Sequence, residues 1–178
     1  MMRRVGGLML WMGLGLQAAL ASTGWVERLD FQPPPALRQV LPEGVVLHYG
    51  NGPEPGNGAP DLPIYVRALP AHPGYRISVR LVKTEFSEEA GVAVAPSIRL
   101  QRKMVEDNRY TTAWVREADA EIYGRDAFWP ADLVQVDEAW QGTNKLARLA
   151  VRPVQWNAQA RILRVHSRFE LELSYQPE

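Results

Sequence analysis

The side chains able to do covalent or acid–base chemistry in this chain are few and poorly spaced for it. The histidines are His48, His72 and His166. None has a second histidine at metal-ligand spacing, so no metal site is expected. Ser22, Ser78, Ser87, Ser97, Ser167 and Ser174 all lack the Gly-x-Ser-x-Gly turn that exposes a nucleophile between a strand and a helix. Acidic pairs such as Glu88-Glu89 and Glu106-Asp107 lie in charged runs and read as solvated faces rather than a glycosidase pair. There is no cysteine among the 178 residues. That removes disulfides, thiolate metal sites, Fe–S clusters and a thiol nucleophile. No P-loop is present, nor a Gly-x-Gly-x-x-Gly after a strand, and no cofactor is expected. The chain reads as a non-enzyme.

The balance of 20 basic against 20 acidic residues gives no net charge. A protein that tracks phosphates needs a basic surplus, so no nucleic-acid partner is expected. With 46% hydrophobic and 22% charged residues the chain has the composition of an ordinary globular domain, and its length suits one. The N-terminus has three parts: basic Arg3-Arg4, an uncharged run from Val5 to Ala21, and a closing Ala19-Leu20-Ala21. This is the layout of a secretory signal peptide, with cleavage expected between Ala21 and Ser22. Residues 1–21 are then a signal and residues 22–178 a single exported domain. No other stretch is long and apolar enough to span a bilayer as a helix.

The elements that position the side chains read as strands. Tyr75 to Leu81 alternates apolar and polar residues. The C-terminal stretch does so for longer: Leu163, Val165, Phe169, Leu171, Leu173 and Tyr175 share one face with Ser167 as its single polar member. Arg164, His166, Arg168, Glu170, Glu172 and Ser174 share the other, so His166 is expected to face solvent. Leu146 to Val154 reads as a strand, and residues 145–175 as a hairpin turning at Asn157, a residue suited to turns. Further strands are expected at Gly24–Phe31, Val45–Tyr49, Leu62–Leu69, Gly91–Ala95 and Leu133–Asp137. Prolines interrupt nearly every long window. Residues 101–122, charged and without Pro or Gly, offer room for a helix turn or a long surface loop. Residues 51–60, rich in Gly and Pro, read as a loop. Short strands with Gly/Pro-rich turns imply an all-β fold, an antiparallel β-sandwich of jelly-roll type with little helix. Most tryptophans are expected in its core.

Four ordered stretches resemble the propeptide domain of gingipain-type cysteine peptidases, exported proteases of Gram-negative bacteria. The first is Gly58-Ala59-Pro60-Asp61-Leu62-Pro63 with Leu69-Pro70, and the second is Val94-Ala95-Pro96. The third runs from Tyr123 through Phe128-Trp129-Pro130 to Val134-Gln135-Val136. The fourth joins Trp140-Gln141-Gly142 to Leu149-Ala150-Val151-Arg152-Pro153-Val154-Gln155-Trp156-Asn157. In it Gln141 replaces the family's Arg, Trp156 its Tyr, and Ala158 its Pro. Pro60, Leu62, Pro63, Pro130, Gly142, Pro153, Gln155, Trp156 and Asn157 are thereby structural positions of the family pattern. The similarity covers about residues 55–175.

The resemblance implies a β-sandwich that caps a cysteine peptidase catalytic domain, keeps it latent and assists its folding. It also implies a basic residue on a surface loop that enters the partner's cleft in a substrate-like way. Between Ser97 and Ile122 the candidates are Arg99, Arg102, Lys103, Arg109 and Arg116, with the dense pair Arg102-Lys103 first. The catalytic partner is expected in trans or from a split gene. The location implied is periplasmic, cell-surface or secreted in a Gram-negative bacterium. Two other readings stand beside this one: an adhesive or glycan-binding sandwich of the cell envelope, and the front fragment of a broken peptidase precursor.

Overall fold

The computed structural model describes residues 24–49, 58–105 and 109–178. The signal segment with its Ala21–Ser22 junction, loop residues 51–57 and the Glu106-Asp107 pair lie outside them. Twelve strands follow in order: Trp25–Phe31 (β1), Leu37–Leu41 (β2), Gly44–His48 (β3), Tyr65–Leu69 (β4), Tyr75–Ala90 (β5), Ile98–Val105 (β6), Arg109–Arg116 (β7), Phe128–Trp129 (β8), Val134–Gln141 (β9), Asn144–Val151 (β10), Val154–Asn157 (β11) and Ile162–Pro177 (β12). The one helix among the described residues is the single turn Ala120–Tyr123 (α1), capped by Asp119, whose carboxylate accepts from the backbone N–H groups of Glu121 and Ile122.

The 16-residue β12 is the spine. β5 pairs along its whole length on one edge. On the other edge β1 pairs with residues 169–175 and β11 with residues 162–165, and β8 continues beyond β11. A second sheet, β4-β10-β9, lies over this one. Between the two sheets Phe169, Leu171, Leu173 and Tyr175 meet Leu149, Val151 and Ala147, all at most 6% exposed. This is the sandwich that the sequence pattern requires. Its stability comes from apolar burial, with no covalent staple.

A β-bulge in β12 changes the face on which the chain buries itself. Phe86 of β5 pairs with His166 and Glu85 with Arg168, leaving Ser167 as the extra residue. Leu163 consequently joins a second core of Val45, Leu47, Leu62, Val92, Val94, Val154 and Trp156, distinct from the one that holds Phe169. Two sequence expectations are corrected by this slip. His166 is 2% exposed rather than solvated, and Ser167 faces out. The period-two pattern runs unbroken through the bulge, but its two halves serve different cores.

Other elements also differ from expectation. The stretch from Leu146 to Val154 breaks at Arg152-Pro153: β10 belongs to the second sheet, and only the short β11 forms the hairpin with β12. That hairpin does turn after Asn157, whose Oδ1 accepts from the Ala160 N–H at 3.0 Å. Residues 91–95 are not a strand; they run into the second core with a lone bridge from Val94 to Val45. Residues 62–64 precede β4 as coil, with Leu62 and Pro63 buried. Residues 98–105 and 109–116 pair as antiparallel strands, and the helix turn of this region is confined to α1.

Candidate functional site

The motif around Pro153 does structural work that its spelling left open. Gln155 donates from Nε2 to the Pro130 carbonyl at 2.8 Å. Its Oε1 therefore faces His166 Nε2, 3.1 Å away, while His166 Nδ1 lies 2.9 Å from the Thr84 hydroxyl. Burial first, and the Arg164 cation second, push the His166 pKa down to about 4, so the ring is neutral at ordinary pH. Trp156 donates from Nε1 to the Val92 carbonyl at 2.9 Å and meets the Tyr123 ring edge-on at 5.1 Å. Asn157 also donates to Asp126 at 2.9 Å. Pro63 and Pro153 are fully buried, and Pro130 and Leu62 nearly so. Gly142 holds the β9–β10 turn at φ +63°, a left-handed geometry that favours glycine.

The surface with binding character is the β6–β7 ribbon, which is hydrogen-bonded to no other sheet. Directly opposed residues of an antiparallel pair share a face. Leu100 opposes Trp114, Arg102 opposes Thr112, and Met104 opposes Tyr110. One face therefore carries Leu100, Met104, Tyr110 and Trp114, all exposed, with Trp114 at 68%. Arg102 sits among them, its guanidinium 3.9 Å from the Tyr110 ring centre. The other face carries Arg99, Gln101, Lys103, Arg109, Thr111 and Ala113. A two-stranded ribbon is marginal by itself, and its exposed apolar face makes it the candidate docking surface of the described residues.

The five basic candidates divide along this ribbon. Arg102, Lys103 and Arg109 lie toward the tip and are exposed. Arg99 and Arg116 lie at the root. Arg99 is ion-paired with Glu117. Arg116 bonds from Nη1 to Asp61 Oδ2 at 2.7 Å and to the Pro96 carbonyl at 2.6 Å. Asp61, 1% exposed, received no role from the sequence beyond its place in a motif. The ribbon itself was signalled by the period-two spacing of Ile98, Leu100 and Met104, which the intervening charges obscured.

The tryptophans split likewise. Trp156 is buried and Trp25 and Trp129 are half-buried, whereas Trp114 and Trp140 are exposed. Among the described residues no group of three or more His, Asp or Glu is arranged to hold a metal ion.

The architecture is a cysteine-free sandwich with one ribbon paired to no other sheet among the described residues. The family profile of Propeptide_C25 matches residues 45–178, and the chain belongs to that family of propeptide domains. It is thus a non-catalytic domain. Among solved structures it is similar to the complex of Porphyromonas gingivalis RgpB pro- and mature domains, at 19% identity and a TM-score of 0.66, over 83% of this chain and 78% of that one. It is also similar to a structure concerned with the zymogenic latency of gingipain K from the same organism, at 19% identity and a TM-score of 0.62, over 88% of this chain and 94% of that one. A search among curated proteins finds no match.

Proposed function

We propose that this chain is exported, loses residues 1–21, and holds a gingipain-type cysteine peptidase latent by laying the β6–β7 ribbon against its catalytic domain. The carrying observation is the ribbon: an apolar face that no described residue covers, set beside exposed basic side chains. Family membership and the two propeptide structures it resembles support the same reading. Arg102, on the apolar face, is offered first to a partner's basic-residue pocket, and Lys103, on the reverse face toward the tip, is the alternative. There a buried carboxylate takes a guanidinium through two parallel charge-assisted hydrogen bonds, or an ammonium as a point charge. The ordered ribbon lowers the entropy lost on docking. Folding assistance would use the same contact, with the sandwich as a template for the catalytic domain.

The test is inhibition by the secreted form of the chain, assayed on a gingipain-type peptidase with arginine- and lysine-specific substrates. Expected is competitive inhibition below micromolar concentration, weakened at least about tenfold by R102A/K103A. Absence of inhibition and of complex at micromolar concentration overturns the reading. Exposed Trp114 and Trp140 favour a second one, adhesion to envelope glycans. Glycan-dependent quenching of tryptophan fluorescence, without peptidase inhibition, would establish that instead.

A further inference from the structure

Resting on that reading, the structure assigns Arg116 and Asp61 a role of their own: together they are a strut that fixes the angle at which the ribbon leaves the sandwich, so that Arg116 positions the docking residues and does not itself dock.

The roots of both strands converge on one short segment. Asp61 is locked to the second core through its backbone, donating to the Ala95 carbonyl at 2.9 Å and accepting from the Leu47 N–H at 3.3 Å. Its side chain is fully buried. Arg116 is the last residue of β7, and Pro96 lies just ahead of β6. A single guanidinium nitrogen of Arg116 thus ties the outgoing leg, the returning leg and the fixed carboxylate together. Backbone bonds repeat the pattern. Ser97 donates to the Ala59 carbonyl at 2.7 Å, and Asp119 donates to the Gly58 carbonyl at 2.9 Å. Gly58 has φ +87°, and a Cβ there would fall 2.2 Å from the Glu117 carbonyl oxygen, so the segment is wedged between the two legs. Beyond this wedge the returning leg is pinned again, where Tyr123 donates to the Val94 carbonyl at 3.1 Å.

Among the described residues no further strand pairs with the ribbon, so this root is what sets its direction. Arg116 has the right charge for a partner's pocket and the wrong place. It lies at the far end of the ribbon from the tip, and its side chain is 17% exposed because it is committed to Asp61. Pulling it out would leave a buried carboxylate uncompensated, which costs more than an exposed pair returns.

The experiment compares full-chain variants in two readouts, the first made without any peptidase. In hydrogen exchange, D61N and R116Q are expected to speed exchange of amides in 98–105 and 109–116 by about tenfold or more, with 162–177 unchanged. In inhibition, the same variants are expected to lose about tenfold or more, because a small misdirection of a docking group is amplified at the site. R116K keeps the charge and the donor, and is expected to restore both readouts to near wild type. R102A/K103A should weaken inhibition with no change in exchange. If D61N alone opens β12 as well, D61N/R116Q, which leaves no buried charge, carries the same comparison. Unchanged ribbon exchange in D61N and R116Q overturns the strut. So does R116K that loses inhibition while its ribbon exchanges as in wild type, since Arg116 would then be the inserted residue. Failure of the wild type to inhibit counts against latency alone, because the exchange result decides the strut without the peptidase.

Discussion

The β5–β12 pair and the β6–β7 ribbon are both antiparallel pairings of alternating sequence, yet they serve opposite ends. From Phe169 to Tyr175 of β12 every second side chain is buried against the second sheet, and Phe169 is wholly inaccessible. Along the ribbon the apolar side chains Leu100, Met104, Tyr110 and Trp114 meet solvent. The first pair supplies stability and the second withholds it. Apolar area left uncovered contributes nothing to folding and remains available as association energy. The comparison separates residues whose loss unfolds the domain from residues whose loss leaves a folded domain that does not bind.

The largest separation is expected from Phe169→Ala. It removes a fully buried ring and should cost about 4 kcal/mol in denaturant unfolding, against less than about 0.5 kcal/mol for Trp114→Ala on the ribbon. Comparable losses from the two would erase the distinction. A slightly smaller effect is expected from acid. His166 has its pKa held down to about 4 in the folded chain, against 6.5 for an ordinary histidine. The unfolded chain therefore binds the proton more readily, and the stability contributed by the neutral ring is complete above pH 6.5 and is lost as the pH falls toward 4. Its full size is about 3 kcal/mol. His166→Gln, compared with wild type across that window, should show a flatter dependence of unfolding free energy on pH. Equal slopes would show that the ring does not titrate in this way. The smallest stability effect is expected from Leu100→Ala/Met104→Ala, within about 0.5 kcal/mol of wild type, because neither side chain is buried. Its consequence should appear in peptidase binding, as a loss of about tenfold.

The sequence shows some of this architecture and hides the rest for physical reasons. β1, β3, β5 and β12 are visible because one face of each, or both in β3, meets apolar neighbours. The bulge at Ser167 is invisible: one extra residue leaves the alternation intact while exchanging the faces, so His166 reads as wet and is buried. Pro153 splits an apolar run between two sheets, and the run itself gives no sign of which strand each half will join. Residues 91–95 are apolar like a strand, but Val92, Val94 and Ala95 are buried as coil, held by one bridge and loop hydrogen bonds. The ribbon is solvated on both sides, so its period-two signal survives only in fragments. The basic candidates are legible as a set. Their division into root and tip is not, because it depends on Asp61, 55 residues away from Arg116.

The position of β12 in the chain has a consequence for biogenesis. Trp25 finds its partner in Tyr175 and Tyr75 in Pro177, so the main sheet cannot close until nearly the whole polypeptide is available. Such long-range pairing is slow and late. Until β12 arrives, β1 and β5 are left with unpaired edges, and the main sheet closes around that late strand.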